Sequence, residues 1–568
     1  MNSLDLFLNP LVKPLMHPNS IRDYLEIQYE ERTLMRPYIG DQLDYCIMHQ
    51  HPQRAIAVKA ATGTGKTWSV IHNVLPFAKR CNQYVLIITN RNPLNLVYKK
   101  EIAEITGIKN HYTTEGLQEA QAFDNAYIVN YQGLEVFLAK HRHIKFSYVI
   151  CDECHYFIND STFSDCTGPV LDMIPKEFAS AVRIYISATI ESVLPYITRA
   201  ELYNYNIDTY GNTYWKNGAP AQTLNGQSLV PLVYKMDSDY SKISLKFFED
   251  TNLLTQQLRD KPGKVLAFCD TIKECAKFVS LMGGGLEINS EFLKNHPDVL
   301  ESLVKNEGFS EKCLATTSVF SNGNNIKQKD VRDVVITLLD QTEILQMAGR
   351  RRIDHDDPND GFTLYIKIPK IGKIKQKLHL VYTLQERIQK CKKNEDYLMR
   401  LIKDGHDKDA ETIRHVFYYN SSKKKYEINY LCEDTLYAQQ HYLEFLCDLL
   451  EEKGSGAYCE IIANLFDKQF EESMLFRSTA SKTEELEAFV KGYGFPLTPS
   501  ELKEFCEDFM EERLRLFGLC KADNLGAGRK TPASRSINNR LSELGVNLEI
   551  VREDNMYYIK ENTDEVIL

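Results

Sequence analysis

Between residues 55 and 200, short apolar runs rich in β-branched residues recur at helix-length spacing: Ile56 to Val58, Tyr84 to Thr89, Ala126 to Val129, Tyr148 to Cys151 and Ile184 to Ser187. Short buried strands alternating with helices predict a parallel sheet covered on its faces, an α/β domain. A second block repeats the pattern with Val265 to Cys269, Leu314 to Thr317, Val334 to Leu338 and Thr363 to Ile368. Between the blocks, 205–235 is rich in Asn, Gly and Tyr and reads as a connection. Beyond Lys370 the period changes. Gly372 to Lys403 is charged, lacks proline and carries Leu, Ile and Tyr at helical intervals, so a long amphipathic helix is expected. The chain then reads as mostly helical to about Leu519. Pro532 to Leu544 reads as a helix stopped by Gly545, and Leu548 to Val551 and Met556 to Ile559 flank a turn at Glu553 to Asn555. A helix followed by a hairpin suggests a winged helix. The expected order is an irregular or helical lead-in at 1–35, α/β domains at 36–205 and 241–370 joined by 206–240, a helical region at 371–525 and a terminal segment at 526–568.

Composition narrows the setting. A chain of 568 residues exceeds one core, and 43% hydrophobic with 26% charged residues suits several soluble globular domains. No run is long and apolar enough to span a bilayer and the first 20 residues lack a leader pattern, so a cytoplasmic protein without a membrane partner is expected. The 14 cysteines are scattered, and only Cys151 and Cys154 stand at metal-ligand spacing; with no second such pair, reduced thiols are expected instead of zinc or disulfides. A net charge of −10 means that any nucleic-acid binding must use a local basic channel.

The strand Ile56 to Val58 runs into Ala60-Ala61-Thr62-Gly63-Thr64-Gly65-Lys66-Thr67, and a helix follows from Trp68 that Pro76 should end or kink. Strand, glycine loop and helix are the context of a phosphate-binding loop. The glycines let backbone amides face a phosphate, Lys66 neutralises β and γ oxygens, and Thr67 holds magnesium. The strand Tyr148 to Cys151 delivers Asp152-Glu153-Cys154-His155 at its carboxyl end, where open α/β sheets bind ligands. Asp152 is a magnesium carboxylate in this reading. Glu153, one residue on, is placed to polarise the water that attacks a γ-phosphate.

A loop of the form A-x-x-G-x-G-K-T together with D-E-C-H resembles a superfamily 2 helicase of the DEAD/DEAH-box kind, with the DECH variant of the box. The resemblance implies two tandem RecA-like domains with ATP and magnesium between them. It also implies roles for further positions. Ser187-Ala188-Thr189 resembles the motif that couples the nucleotide site to nucleic acid, with His155, Gly323 and Asn325 as further coupling residues. Thr317 to Asn325 resembles the fifth motif. Gln346-Met347-Ala348-Gly349-Arg350-Arg351-Arg352 resembles the sixth, with Gln346 and Gly349 at ATP; its final arginine falls on Ile353, leaving Arg350 and Arg352 as alternative or joint cations for the γ-phosphate. Thr89, Asn90, Arg91, Tyr131, Gln132 and Thr317 stand where relatives touch nucleic acid, by backbone-directed contacts that need little base readout.

The expected activity is ATP-dependent helicase or translocase action, on single-stranded or forked DNA in preference to RNA. The alternative is an ATP-controlled switch that acts on a protein partner through the C-terminal region. A GTPase is disfavoured by the lack of N-K-x-D after the D-E-C-H strand, and no carboxylate cluster supports an attached nuclease.

Overall fold

The computed structural model describes residues 30–34, 54–60, 64–90, 92–107, 121–205, 231–236, 238–296, 299, 302–303, 306–317, 325–404, 408–420, 423–476, 482–517, 534–544, 546 and 548–561. The chain divides into two compact units, Met1–Leu475 and Phe476–Leu568.

The first unit holds two sheets. One has eight strands: β1 (Glu30–Thr33), β2 (Ile56–Lys59), β3 (Tyr84–Thr89), β4 (Ala122–Phe123), β5 (Ala126–Asn130), β6 (Phe146–Asp152), β7 (Val182–Ser187) and β8 (Leu232–Lys235). Their spatial order is β1-β8-β2-β7-β6-β3-β5-β4, and only the β4–β5 pair is antiparallel. Ile56, Val58, Val85 and Ile87 face one core, and Ala57, Leu86, Ile88 and Val149 face the other. Burial on both faces is why these strands read as continuous apolar runs. The other sheet is wholly parallel. Its order is β11-β12-β10-β13-β14-β9, made from β9 (Ile243–Phe248), β10 (Lys264–Phe268), β11 (Leu286–Ile288), β12 (Cys313–Thr316), β13 (Val331–Ile336) and β14 (Phe362–Lys367). Two α/β domains thus follow one another, as the alternation predicts.

Four elements depart from the reading of the sequence. The lead-in and the connection both contribute strands, β1 and β8, which pair with each other while β8 also pairs with β2. The helix after the phosphate loop does not end at Pro76. It runs as α1 (Lys66–Ser69), a π turn at Val70–Val74 and a further helical stretch at Leu75–Arg80; the wider turn accommodates a ring that removes one hydrogen bond of the ladder. The long helix expected over 372–403 breaks at Asn394, whose side chain accepts from the Tyr397 amide at 3.0 Å and starts a second helix.

One helix of the helical region joins both α/β domains. Tyr430–Glu452 begins with Leu431 in the first domain's core, with Thr435 2.8 Å from Ser161 and Tyr430 donating to Asp172 at 2.9 Å. Its far half places Tyr442, Leu443, Leu446 and Leu450 in the second domain's core, and Tyr442 donates to the Leu339 carbonyl at 2.8 Å. Asn429, fully buried, fastens the near end: its Oδ1 accepts from the Gly168 amide at 3.2 Å, and its Nδ2 reaches Thr167 at 3.0 Å and the Ser164 carbonyl at 3.2 Å. Asn429→Ala strands these groups in a dry interface, so a loss of about 2 kcal/mol is expected, read as a lower denaturant midpoint for the first unit. An unchanged midpoint would show that water replaces the amide.

The second unit packs Lys482–Gly492, Pro499–Phe517 and Ser534–Glu543 against a hairpin of β17 (Leu548–Glu553) and β18 (Met556–Glu561), β15 (Phe417–Asn420) and β16 (Lys425–Ile428) being a separate hairpin of the first unit. Phe505, Phe509, Ile537, Leu541 and Ile550 form its core. Asp554 and Asn555, at φ 45° and 65°, make the left-handed pair that a two-residue hairpin turn requires. The helix and hairpin expected at the terminus are present within a unit that also takes in the two preceding helices. No helix among the described residues is long and apolar enough to cross a membrane.

Candidate nucleotide site

Strand β7 lies between β2 and β6. The carboxyl ends of three adjacent parallel strands therefore bring the phosphate loop, the acidic box and Ser187-Ala188-Thr189 side by side. Ala60 is fully buried and its amide donates to the Ser187 carbonyl at 3.2 Å. Ala61, Thr62 and Gly63 lie outside the described residues. Gly65 precedes α1 at φ 85°, a left-handed turn that glycine adopts without strain.

Lys66 is buried, and its ammonium has no hydrogen-bond partner; the nearest carboxylate oxygen is that of Glu153 at 4.0 Å. A buried, unmatched cation at the mouth of a glycine turn suits a phosphate. Glu153 itself sits at φ 49°, a conformation disfavoured for a residue with a side chain and concentrated at functional sites. Burial would raise its pKa, but Lys66, His155 and Arg350 outweigh that and hold the carboxyl below its ordinary range. It stays a carboxylate at neutral pH.

Asp152 is the partner of opposite tendency, pushed up to about 6 by burial and by the Glu153 charge. Its Oδ1 accepts from the Glu153 amide at 2.9 Å and its Oδ2 from the Tyr98 hydroxyl at 2.8 Å. The same hydroxyl meets the Thr67 side chain. Thr67, Tyr98 and Asp152 thus converge, and a divalent cation there would relieve both influences that raise the Asp152 pKa, so these donors fit magnesium. Among the described residues no group of three or more His, Cys, Asp or Glu is placed to hold a metal. Cys151 and Cys154 are buried free thiols. Tyr98, on the helix Asn92–Ile105, was not singled out from the sequence; a tyrosine in a helix carries no local sign that its hydroxyl meets a carboxylate 54 positions away.

From Glu153 a polar path leads to the second domain. Nδ1 of His155 lies 3.3 Å from Glu153 Oε2 and 3.1 Å from Ser187 Oγ. The Ser187 hydroxyl accepts from the Thr189 amide at 3.0 Å, and Thr189 Oγ1 accepts from Gln346 Nε2 at 2.9 Å. Gln346, expected at ATP, thus commits its amide to the neighbouring domain. It lies on Gln341–Ala348, and Gly349 caps that helix.

The three arginines after Gly349 separate by environment. Arg351, fully buried, turns inward onto Asp360 and the Val331 carbonyl at 3.1 Å, and is a structural residue. Arg350 and Arg352 are buried within electrostatic reach of Glu153; burial lowers both pKa values, Arg350 adds to the effect on Arg352, and Glu153 opposes it. Arg350 Nε has no partner, while Arg352 donates to Asn325 at 2.7 Å. Two crowded cations opposite Lys66 make a site for a polyanion. Gly323 lies outside the described residues.

The residues expected at nucleic acid divide. Tyr131 is corrected: it is fully buried, stacks on Tyr156 with ring centroids 4.7 Å apart and donates to the Asp152 carbonyl at 3.0 Å, so it stiffens the acidic strand. Thr89 is also fully buried, its hydroxyl donating to Asn95 at 2.6 Å. Asn90 is buried with both amide atoms unmatched, Gln132 is exposed, Thr317 is half-buried and Arg91 lies outside the described residues.

Residues 24–192 match the family model described as Type III restriction enzyme, res subunit. No curated protein matches the sequence. Similar solved structures include S. cerevisiae Dbp5 bound to RNA and ADP BeF3, at 13% identity and a TM-score of 0.41, covering 63% of this chain and 89% of that one. Another is Mss116p bound to ssRNA and AMP-PNP, at 12% identity and a TM-score of 0.39, covering 62% and 78%.

Proposed function

We propose that this chain, whose residues 24–192 match the family model described as Type III restriction enzyme, res subunit, is an ATP-hydrolysing motor of the superfamily 2 helicase kind that couples hydrolysis between its two α/β domains to movement along a nucleic-acid strand. The path from Glu153 through His155, Ser187 and Thr189 to Gln346 carries this reading. A change at the hydrolytic carboxylate alters hydrogen bonds that end on the other domain, so domain closure and chemistry are linked. Lys66 binds the phosphates. Thr67 and Asp152 hold magnesium, which when bound neutralises charge on the β and γ oxygens. Glu153 orients and deprotonates the attacking water, and Arg350, assisted by Arg352, stabilises the charge of transfer from the opposing domain.

Asn90, Gln132, Arg91 and Thr317 are the proposed contacts to the strand. Hydrogen bonds to a sugar–phosphate backbone accept either polymer, so the DNA preference drawn from the sequence is set aside. Buried free thiols across the described residues suit a cytoplasmic enzyme. ATPase rates with single-stranded DNA, duplex DNA and RNA in parallel test the proposal. Stimulation by at least one polymer is expected, and the polymer that stimulates is the substrate. A rate indifferent to all three but raised by a protein partner would replace the motor with the ATP-controlled switch.

A further inference from the structure

The first turn after the phosphate loop carries a side chain that the hydrolytic chemistry does not use. Trp68 follows Lys66 and Thr67 directly and is 53% exposed, although tryptophan is on average a well-buried residue. Its indole lies on the His72 ring, with centroids 4.7 Å apart and 20° between the planes. His72 is one helical turn on, so the two rings lie face to face beside the phosphate loop, the imidazole supporting the indole. Because Trp68 lies in the first turn of α1, directly after Lys66 and Thr67, the stacked rings stand beside the phosphate loop at the carboxyl end of β2.

A nucleoside triphosphate held by Lys66 at its β and γ oxygens must project its base away from the acidic box, toward the rim of the cleft. A purine there needs a flat apolar partner that leaves its edges free. We propose that Trp68, backed by His72, is the platform on which the base of the bound ATP stacks. The inference rests on the nucleotide-site reading above and adds the part of the site that recognises the nucleoside. His72 is a positioning residue in this arrangement, holding the indole against rotation.

The test uses the full chain carrying Trp215→Phe, which leaves Trp68 as its sole tryptophan. ATP is expected to quench its fluorescence, and inorganic tripolyphosphate, which has the phosphates without the base, is not. Trp68→Ala is expected to raise KM for ATP about tenfold, the usual scale for losing a base–aromatic stack, with a smaller loss in kcat. Trp68→Phe should recover most of it. Equal quenching by tripolyphosphate, or an unchanged KM in Trp68→Ala, overturns the platform while leaving the hydrolytic site intact. A parent chain that hydrolyses no ATP overturns the nucleotide-site reading and the platform with it.

Discussion

Glu153→Gln is expected to bind ATP as the parent does and to hydrolyse it about a thousandfold more slowly, within the range for loss of a positioned general base. The amide preserves the shape of the side chain and its place beside His155, but it cannot take a proton from water. The parental carboxyl is held ionised by Lys66, His155 and Arg350 against the cost of burial, so it is ready as a base at neutral pH. Single-turnover hydrolysis measured beside nucleotide binding checks the expectation. Turnover within a few-fold of the parent would remove Glu153 from the mechanism. Lys66→Ala should instead fail at binding, because its buried ammonium, which lacks a hydrogen-bond partner among the described residues, is the cation proposed to meet the phosphates.

Arg350→Ala is expected to lower kcat by about a thousandfold, the lower end of what an arginine aimed at a transferring phosphoryl group contributes. Nucleotide affinity should change much less, because that charge develops in the transition state. Arg352→Ala should cost less than Arg350→Ala, since part of its guanidinium is occupied by Asn325. Arg351→Ala is the contrast. It leaves Asp360 as an unpaired buried charge, a loss of about 3–5 kcal/mol, so it should unfold the second domain before any catalytic step is tested. Measuring kcat and thermal stability for the three variants separates the roles. An Arg350→Ala enzyme with parental kcat would transfer the role to Arg352.

The phosphate loop, the acidic box and Ser187-Ala188-Thr189 were legible because each is a short run at a strand end, where residue type and local turn carry the chemistry together. The two α/β blocks were legible for a related reason: strands buried on both faces read as apolar runs whatever their order in the sheet. That register stops short of the arginines. Three consecutive cations look alike in a sequence, and only Asp360 and the Val331 carbonyl, which claim Arg351, separate them.

Tyr131 shows the same limit from the other side. Its position after β5 matched a nucleic-acid contact, but exposure depends on what packs over a residue, and Tyr156 and the acidic strand enclose it. Tyr98 was missed because its partner is remote in the chain. The strand β8 was read as part of a connection because four residues that follow Pro231 after a Gly- and Asn-rich stretch gain strand character only from the neighbours they pair with.

The sequence by itself determined that a glycine loop and an acidic box stand at the ends of β2 and β6, and that two α/β domains follow one another. Contiguous residues encode a loop, a strand and a charge without reference to the rest of the chain. Tertiary structure alone decided which arginine turns onto Asp360, which tyrosine holds Asp152, that His155 and Thr189 lie on one path to Gln346, and that the helix Tyr430–Glu452 is packed into both domains. Each of these depends on burial and on contacts between segments far apart in the chain, and the free energy that selects them exists only once those segments have packed.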